Sequence, residues 1–256
     1  MPCKVCGSTK TVRSHLLPRA FIKAVKGTHQ IALQGSVKET GTILTQSGEF
    51  DSDLLCDAHE KALQCSDNYA VKWVRGFAKN ATLRTDLDSV VYVVPNPRPD
   101  LLLHFVCSVV WRHAASQRFG PANGVDLGPW EPKLRGMIFH GVRYNPAFRI
   151  AKRDLTIGDQ IVDPPIIFSP HKNDDRGRNG WDFEVGGFIW SLKLDDRRKG
   201  EIPEIIKANR QNPVPVLNYP PLPAVDRTGF IEALANMDQP SKTVSTRSRL
   251  PTVQST

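Results

Sequence analysis

Two pairs of metal-ligand residues frame the first part of this chain: Cys3-Lys4-Val5-Cys6 and Cys56-Asp57-Ala58-His59. A two-residue spacer lets both side chains of a pair converge on one ion, so together they supply a tetrahedral thiolate and imidazole set suited to structural zinc. The metal ligands are therefore expected to be Cys3, Cys6, Cys56 and His59, with Zn2+ as the cofactor. The gap between the pairs is longer than in compact zinc fingers. Two other arrangements stay open: His15 as fourth ligand in place of His59, and a coincidental pair of surface cysteines.

Between the pairs lies Ser14-His15-Leu16-Leu17-Pro18, where a short predicted strand ends in a histidine. An imidazole whose ordinary pKa is about 6.5 is largely neutral at physiological pH and can take a proton from water. Cys65 lies too far along the helix after Cys56 to share its ion. Cys107 sits in an apolar run and reads as a buried small hydrophobe.

Charge separates this region from the rest. The chain of 256 residues carries a net charge of +8. Residues 1–38 hold no acid but seven cations, among them Lys4, Lys10, Arg13, Arg19, Lys23 and Lys26. Such a patch fits a phosphate backbone, because neutralising phosphates releases condensed counterions. The first residues run straight into the cysteines without the layout of a signal peptide, and no long apolar run appears. A cytoplasmic protein with no membrane partner is the expectation.

The elements that must position these groups follow from local pattern. Residues 11–13 form a strand leading to Ser14 and His15, residues 19–25 a short helix, and residues 30–33 and 42–45 a hairpin. Residues 53–55 lead into Cys56, and Leu63, Tyr69, Ala70, Trp73, Val74 and Phe77 recur at helical spacing over about 20 residues. Beyond them, residues 90–94 read as a buried strand, and residues 101–116 as a core helix with Asp100 as a possible cap. Residues 130–139 read as partly helical, with strands near 148–150, 165–168 and 183–194. The prolines of 212–225 favour an extended path over a central strand. The fold class is α+β: an N-terminal zinc module (1–80), a mixed α+β domain of unassigned role (88–235) and a disordered tail (239–256).

The ligand pairs and the Ser14-His15-Leu16-Leu17-Pro18 segment together resemble the treble-clef, ββα-metal core of the HNH endonucleases over residues 1–80. In that family a histidine closes the first strand, commonly as Asp-His-Ile-x-Pro. The resemblance implies that His15 is the general base of a metal-dependent endonuclease that hydrolyses phosphodiester bonds, with DNA as the expected partner. It places Asp51 or Asp53 where the family has an asparagine that orients the histidine. Glu60 stands where the family's last histidine binds the catalytic cation, and Ser14 where an acidic ligand is usual.

A carboxylate suits a hard cation such as Mg2+ or Mn2+ better than an imidazole does. Neighbouring helical residues point about 100° apart, so His59 can face zinc while Glu60 faces a second site. The alternative is a non-catalytic zinc-stabilised module that binds nucleic acid or protein, such as a regulator or inhibitor carried by a mobile element. Trp111 reads as core, and the histidines 29, 104, 113, 140 and 171 show no ligand spacing. Val185-Gly186-Gly187-Phe188 lacks the Gly-Lys-Ser/Thr ending of a phosphate loop.

Overall fold

The computed structural model describes residues 2–26, 32–35, 42–45, 47–84, 91–95, 97–117, 120, 124–157, 160–162, 166–173, 179–195, 201–203, 206–208, 213–219 and 222–223. The tail expected at 239–256 lies outside the described residues, as does His29.

The histidine ends a strand, as its setting predicts. Strand β1 (Val12–His15) pairs antiparallel with β4 (Phe50–Leu55), with Ser14 opposite Asp51 and His15 opposite Phe50. Cys56 follows as N-cap of α2 (Asp57–Asn80). That helix buries Leu63, Ser66, Ala70, Val71, Trp73 and Phe77, a stripe at three- and four-residue spacing that fixes which side faces inward. Between β1 and β4 the chain makes α1 (Arg19–Lys26), β2 (Ala32–Gly35) and β3 (Thr42–Thr45).

The remainder is a mixed α+β assembly, as the patterning predicts. It contains β5 (Thr82–Arg84), β6 (Val91–Val94), α3 (Pro99–Ala115), α4 (Glu131–His140), β7 (Ala147–Lys152), β8 (Leu155–Ile157), β9 (Gln160–Val162), β10 (Ile166–Lys172), β11 (Gly180–Val185), β12 (Phe188–Lys193), β13 (Val214–Asn218) and β14 (Leu222–Pro223). Among the described residues, nine strands form one sheet in the order β3-β2-β10-β11-β12-β7-β13-β6-β5. The pair β2 and β3 joins it through parallel pairing of β2 with β10, Leu33 standing opposite Ile166. Strands β14, β8 and β9 make a small separate sheet.

Helices α2 and α3 cover one face of the large sheet. Trp73 and Phe77 of α2 and Phe105 of α3 meet Phe183, Phe188 and Trp190 at ring separations of 4.9 to 6.0 Å. Each such aromatic pair contributes roughly 0.5–1.5 kcal/mol beyond the area it buries. On the opposite face Arg149, Ser191 and Asp182 stand in register across β7, β12 and β11, all buried.

Two expectations need correction. Asp100 is not the cap of α3: Arg98 is the N-cap, Pro99 takes the first helical position, and Asp100 sits inside the first turn. There its carboxylate meets the positive end of the helix and takes two hydrogen bonds from Arg98, at 2.9 and 2.6 Å. Residues 214–218 are an interior strand, since β13 lies between β7 and β6. Proline is compatible with extended backbone, and burying Val214 and Val216 completely outweighs the donor that Pro215 lacks.

Candidate metal centre and the histidine beside it

The first turn of α2 faces a tight turn at residues 3–7, where Gly7 N–H donates to Cys3 O at 2.9 Å and Cys3 N–H to Ser8 O at 2.8 Å. Gly7 takes φ 73°, the left-handed conformation that this reversal requires. The turn is pinned to the strands by Lys4 N–H donating to Leu54 O at 3.0 Å. Cys3, Cys6, Cys56 and His59 thereby come together, their ligand atoms all within 4.8 Å of one another.

Two of the three closest separations match a shared ion, and the third is shorter. Tetrahedral zinc with Zn–S of about 2.3 Å and Zn–N of about 2.0 Å places ligand atoms roughly 3.5 to 3.8 Å apart. Cys6 Sγ lies 3.8 Å from Cys56 Sγ, Cys3 Sγ 3.7 Å from His59 Nδ1, and Cys56 Sγ 3.1 Å from His59 Nδ1. This Cys3His set could hold a metal ion such as zinc.

The protonation chemistry agrees. Burial opposes ionisation of Cys3, but backbone N–H groups of Cys6, Val5 and Cys56 outweigh it and lower its pKa. The Ser8 N–H favours the Cys6 thiolate, yet desolvation and the neighbouring thiols leave its pKa raised. Crowded thiolates repel one another, and a divalent cation removes that repulsion. Burial, with help from His140, lowers the pKa of His59 and keeps its ring neutral, the form that binds metal. Helix α4 supports this corner: Phe139 meets the His59 ring edge-on at 5.3 Å, and Arg135 Nη1 donates to Lys4 O at 3.2 Å. Nothing in the sequence pattern singles out either residue, because both reach the centre only through tertiary packing.

His15 lies at the end of β1. Its ring is 6.2 Å from that of Phe50, and Nε2 is buried without a hydrogen-bond partner. Burial lowers its pKa to about 4, with further lowering from the charges of Arg13, Arg19 and Arg112. Arg13 and Arg19 are exposed, and the Arg13 guanidinium stacks on Phe50 at 3.5 Å.

Glu60 approaches the same strand end from α2. Burial raises its pKa, partly offset by Arg112, the Ser14 hydroxyl and the His15 main chain. The sequence therefore brings His15, Ser14 and Glu60 to one place.

Asp51 is placed differently. Its Oδ1 accepts from Asp53 N–H at 2.8 Å, and its Oδ2 from Ser116 Oγ at 2.7 Å and Gln117 N–H at 3.2 Å. Oδ2 thus fastens β4 to the end of α3, while Oδ1 is held within the strand itself. Asp53 lies two residues further along β4 and supplies one of those donors. Lys10 and Lys23 are exposed, Lys4 is half-buried, and the side chain of Lys26 lies outside the described residues.

The feature that sequence reasoning missed is Arg112. It is 1% exposed and reaches from α3 to both β1 and α2. Its Nη1 donates to His15 O at 3.1 Å, and its fork grips Asp67 at 3.0 and 3.1 Å. Its place beside Trp111 in an apolar helix was the available signal, since a buried arginine needs an acceptor supplied by the fold. Trp111 is wholly buried, as expected, and its indole N–H donates to Glu131 at 2.8 Å. Cys107 is buried, and burial pushes its thiol pKa up. Among the described residues, no helix is long and apolar enough to cross a membrane. No protein-family model matches this chain, and no curated protein and no solved structure matches it either.

Proposed function

We propose that this protein is a zinc-stabilised, metal-dependent nuclease of the HNH-like kind, in which His15 is the general base. The observation that carries the reading is the unpartnered, buried Nε2 of His15, with Arg13 and Arg19 close enough for their charges to act on the ring. A neutral imidazole nitrogen with no internal partner would accept a proton from a water brought to it with the substrate. Two exposed guanidinium groups nearby suit a phosphodiester.

With a pKa of about 4 the ring is neutral at pH 7 but weakly basic. Burial is the main cause of that depression, and a phosphate bound by Arg13 and Arg19 would offset the smaller part that their charges add. Zinc at Cys3, Cys6, Cys56 and His59 would hold the turn, the paired strands β1 and β4, and α2 in one arrangement. A divalent cation such as Mg2+ or Mn2+ at Glu60 would supply Lewis-acid stabilisation of the leaving oxygen. The substrate in this reading is nucleic acid, DNA first.

The test is nicking of supercoiled plasmid by the zinc-loaded chain with Mg2+, Mn2+ or Ni2+. Nicking by the wild type and its loss in His15→Ala, with zinc content and melting temperature preserved, are expected. A wild type without activity, or an active His15→Ala, would overturn the assignment. The second reading, a non-catalytic binding module, draws support from Asp51, whose carboxylate is committed to Ser116 and Gln117. In that case both proteins bind nucleic acid equally and neither cleaves it.

A further inference from the structure

We infer that the solvent face of α2 is a track for the phosphate backbone of a nucleic acid, an extension that rests on the nucleic-acid reading above. The helix contains three acids, of which one stays exposed in its first turn beside a lysine and two turn away from the solvent face. Asp57 is paired with Lys61 at 2.7 Å, Glu60 turns toward β1, and Asp67 turns inward to Arg112. From Gln64 onward the exposed polar residues are Gln64, Asn68, Lys72, Arg75, Lys79 and Asn80. Among the described residues, none of the three cations has an ion-pair partner.

The geometry is that of a ridge. At 100° and 1.5 Å per residue, Lys72, Arg75 and Lys79 fall within about 60° of one another and span about 10 Å of helix. Asn68 and Gln64 continue the row toward the first turn and offer neutral donors. The whole helix is about 36 Å long, close to one turn of duplex, and its first turn carries Cys56, His59 and Glu60. A strand gripped along the ridge would run toward the corner where His15 stands. Segregating charge in this way has no use in burying apolar surface, whereas a polyanion requires it.

Fluorescence anisotropy of the full chain on a labelled 24-base-pair DNA duplex, across a salt series, tests this. Replacing Lys72, Arg75 and Lys79 by Gln should weaken binding about tenfold or more at 100 mM salt. It should also reduce the slope of log K against log salt by about 2 to 3, close to one per lost phosphate contact. A control triple of exposed cations elsewhere, Lys133, Arg143 and Lys172 to Gln, removes the same charge and should leave the slope unchanged. A ridge variant that binds like the wild type, or a control that loses as much slope, would overturn the track alone. A wild type that binds neither this duplex nor an RNA duplex of the same sequence would overturn the track and the nucleic-acid reading together. Tighter binding of the RNA duplex, with the same loss in the ridge variant, supports the track and assigns it to RNA.

Discussion

The guanidinium of Arg112 donates to the main-chain carbonyl of His15 at 3.1 Å, joining residues 97 apart in the chain. The same fork holds Asp67 of α2, and Ser108 of α3 receives two further bonds from it at 3.2 Å. The end of β1 is thus fixed by a charge on α3, outside the N-terminal region that carries the ligand pairs. Removing one member of a buried pair leaves the other uncompensated, at a cost of about 3–5 kcal/mol.

Arg112→Met should therefore lower the unfolding free energy by about 3–5 kcal/mol, measured by urea denaturation. Adding Asp67→Leu to it should recover part of that loss, because no bare carboxylate then remains inside. A single variant within 1 kcal/mol of the wild type would show that water already reaches the pair.

Metal loading gives the second expectation. Purified chain should carry one zinc by elemental analysis, and Cys56→Ser should carry far less. Chelation of the wild type should lower Tm by roughly 10 °C or more, since each kcal/mol moves Tm by about 2–4 °C in a protein of this size. Equal Tm with and without chelator would remove zinc from the account of stability.

Acid sensitivity is the third. His113 is 2% exposed, and burial holds its pKa down at about 4, below its ordinary 6.5. Its Nδ1 lies 2.8 Å from Val109 O, a neutral-ring arrangement in the core. The unfolded chain binds a proton here at a pH where the folded chain does not. The contribution is therefore full above pH 6.5 and is lost as pH falls toward 4, on the order of 3 kcal/mol. His113→Gln should flatten that part of the stability curve in urea titrations at pH 4 to 7.

How much of this was written locally can be argued residue by residue. The ligand pairs are short-range signals, because a two-residue spacer dictates convergence and the helix after Cys56 advertises itself in Leu63, Trp73 and Phe77. His15 at a strand end was equally legible, since β-formers precede it. The role of Asp51 was not, because Ser116 and Gln117 reach it only through folding of α3. The strand at 214–218 was hidden for a related reason. Proline is a local signal against a central strand, and burial of Val214 and Val216 between β7 and β6 is a non-local one that outweighs it. The withdrawal of Asp67 from the surface of α2 is likewise invisible until Arg112 is placed.

The parallel pairing of β2 with β10 sets an order of events during synthesis. Leu33 must wait for Ile166, so the β2 and β3 hairpin leaves the ribosome long before its partner strand exists. Until then its open edge can pair with any passing strand. Early capture of metal by the cysteine pairs would secure β1, β4 and α2 in the meantime, leaving a single loose hairpin to be collected when β10 arrives.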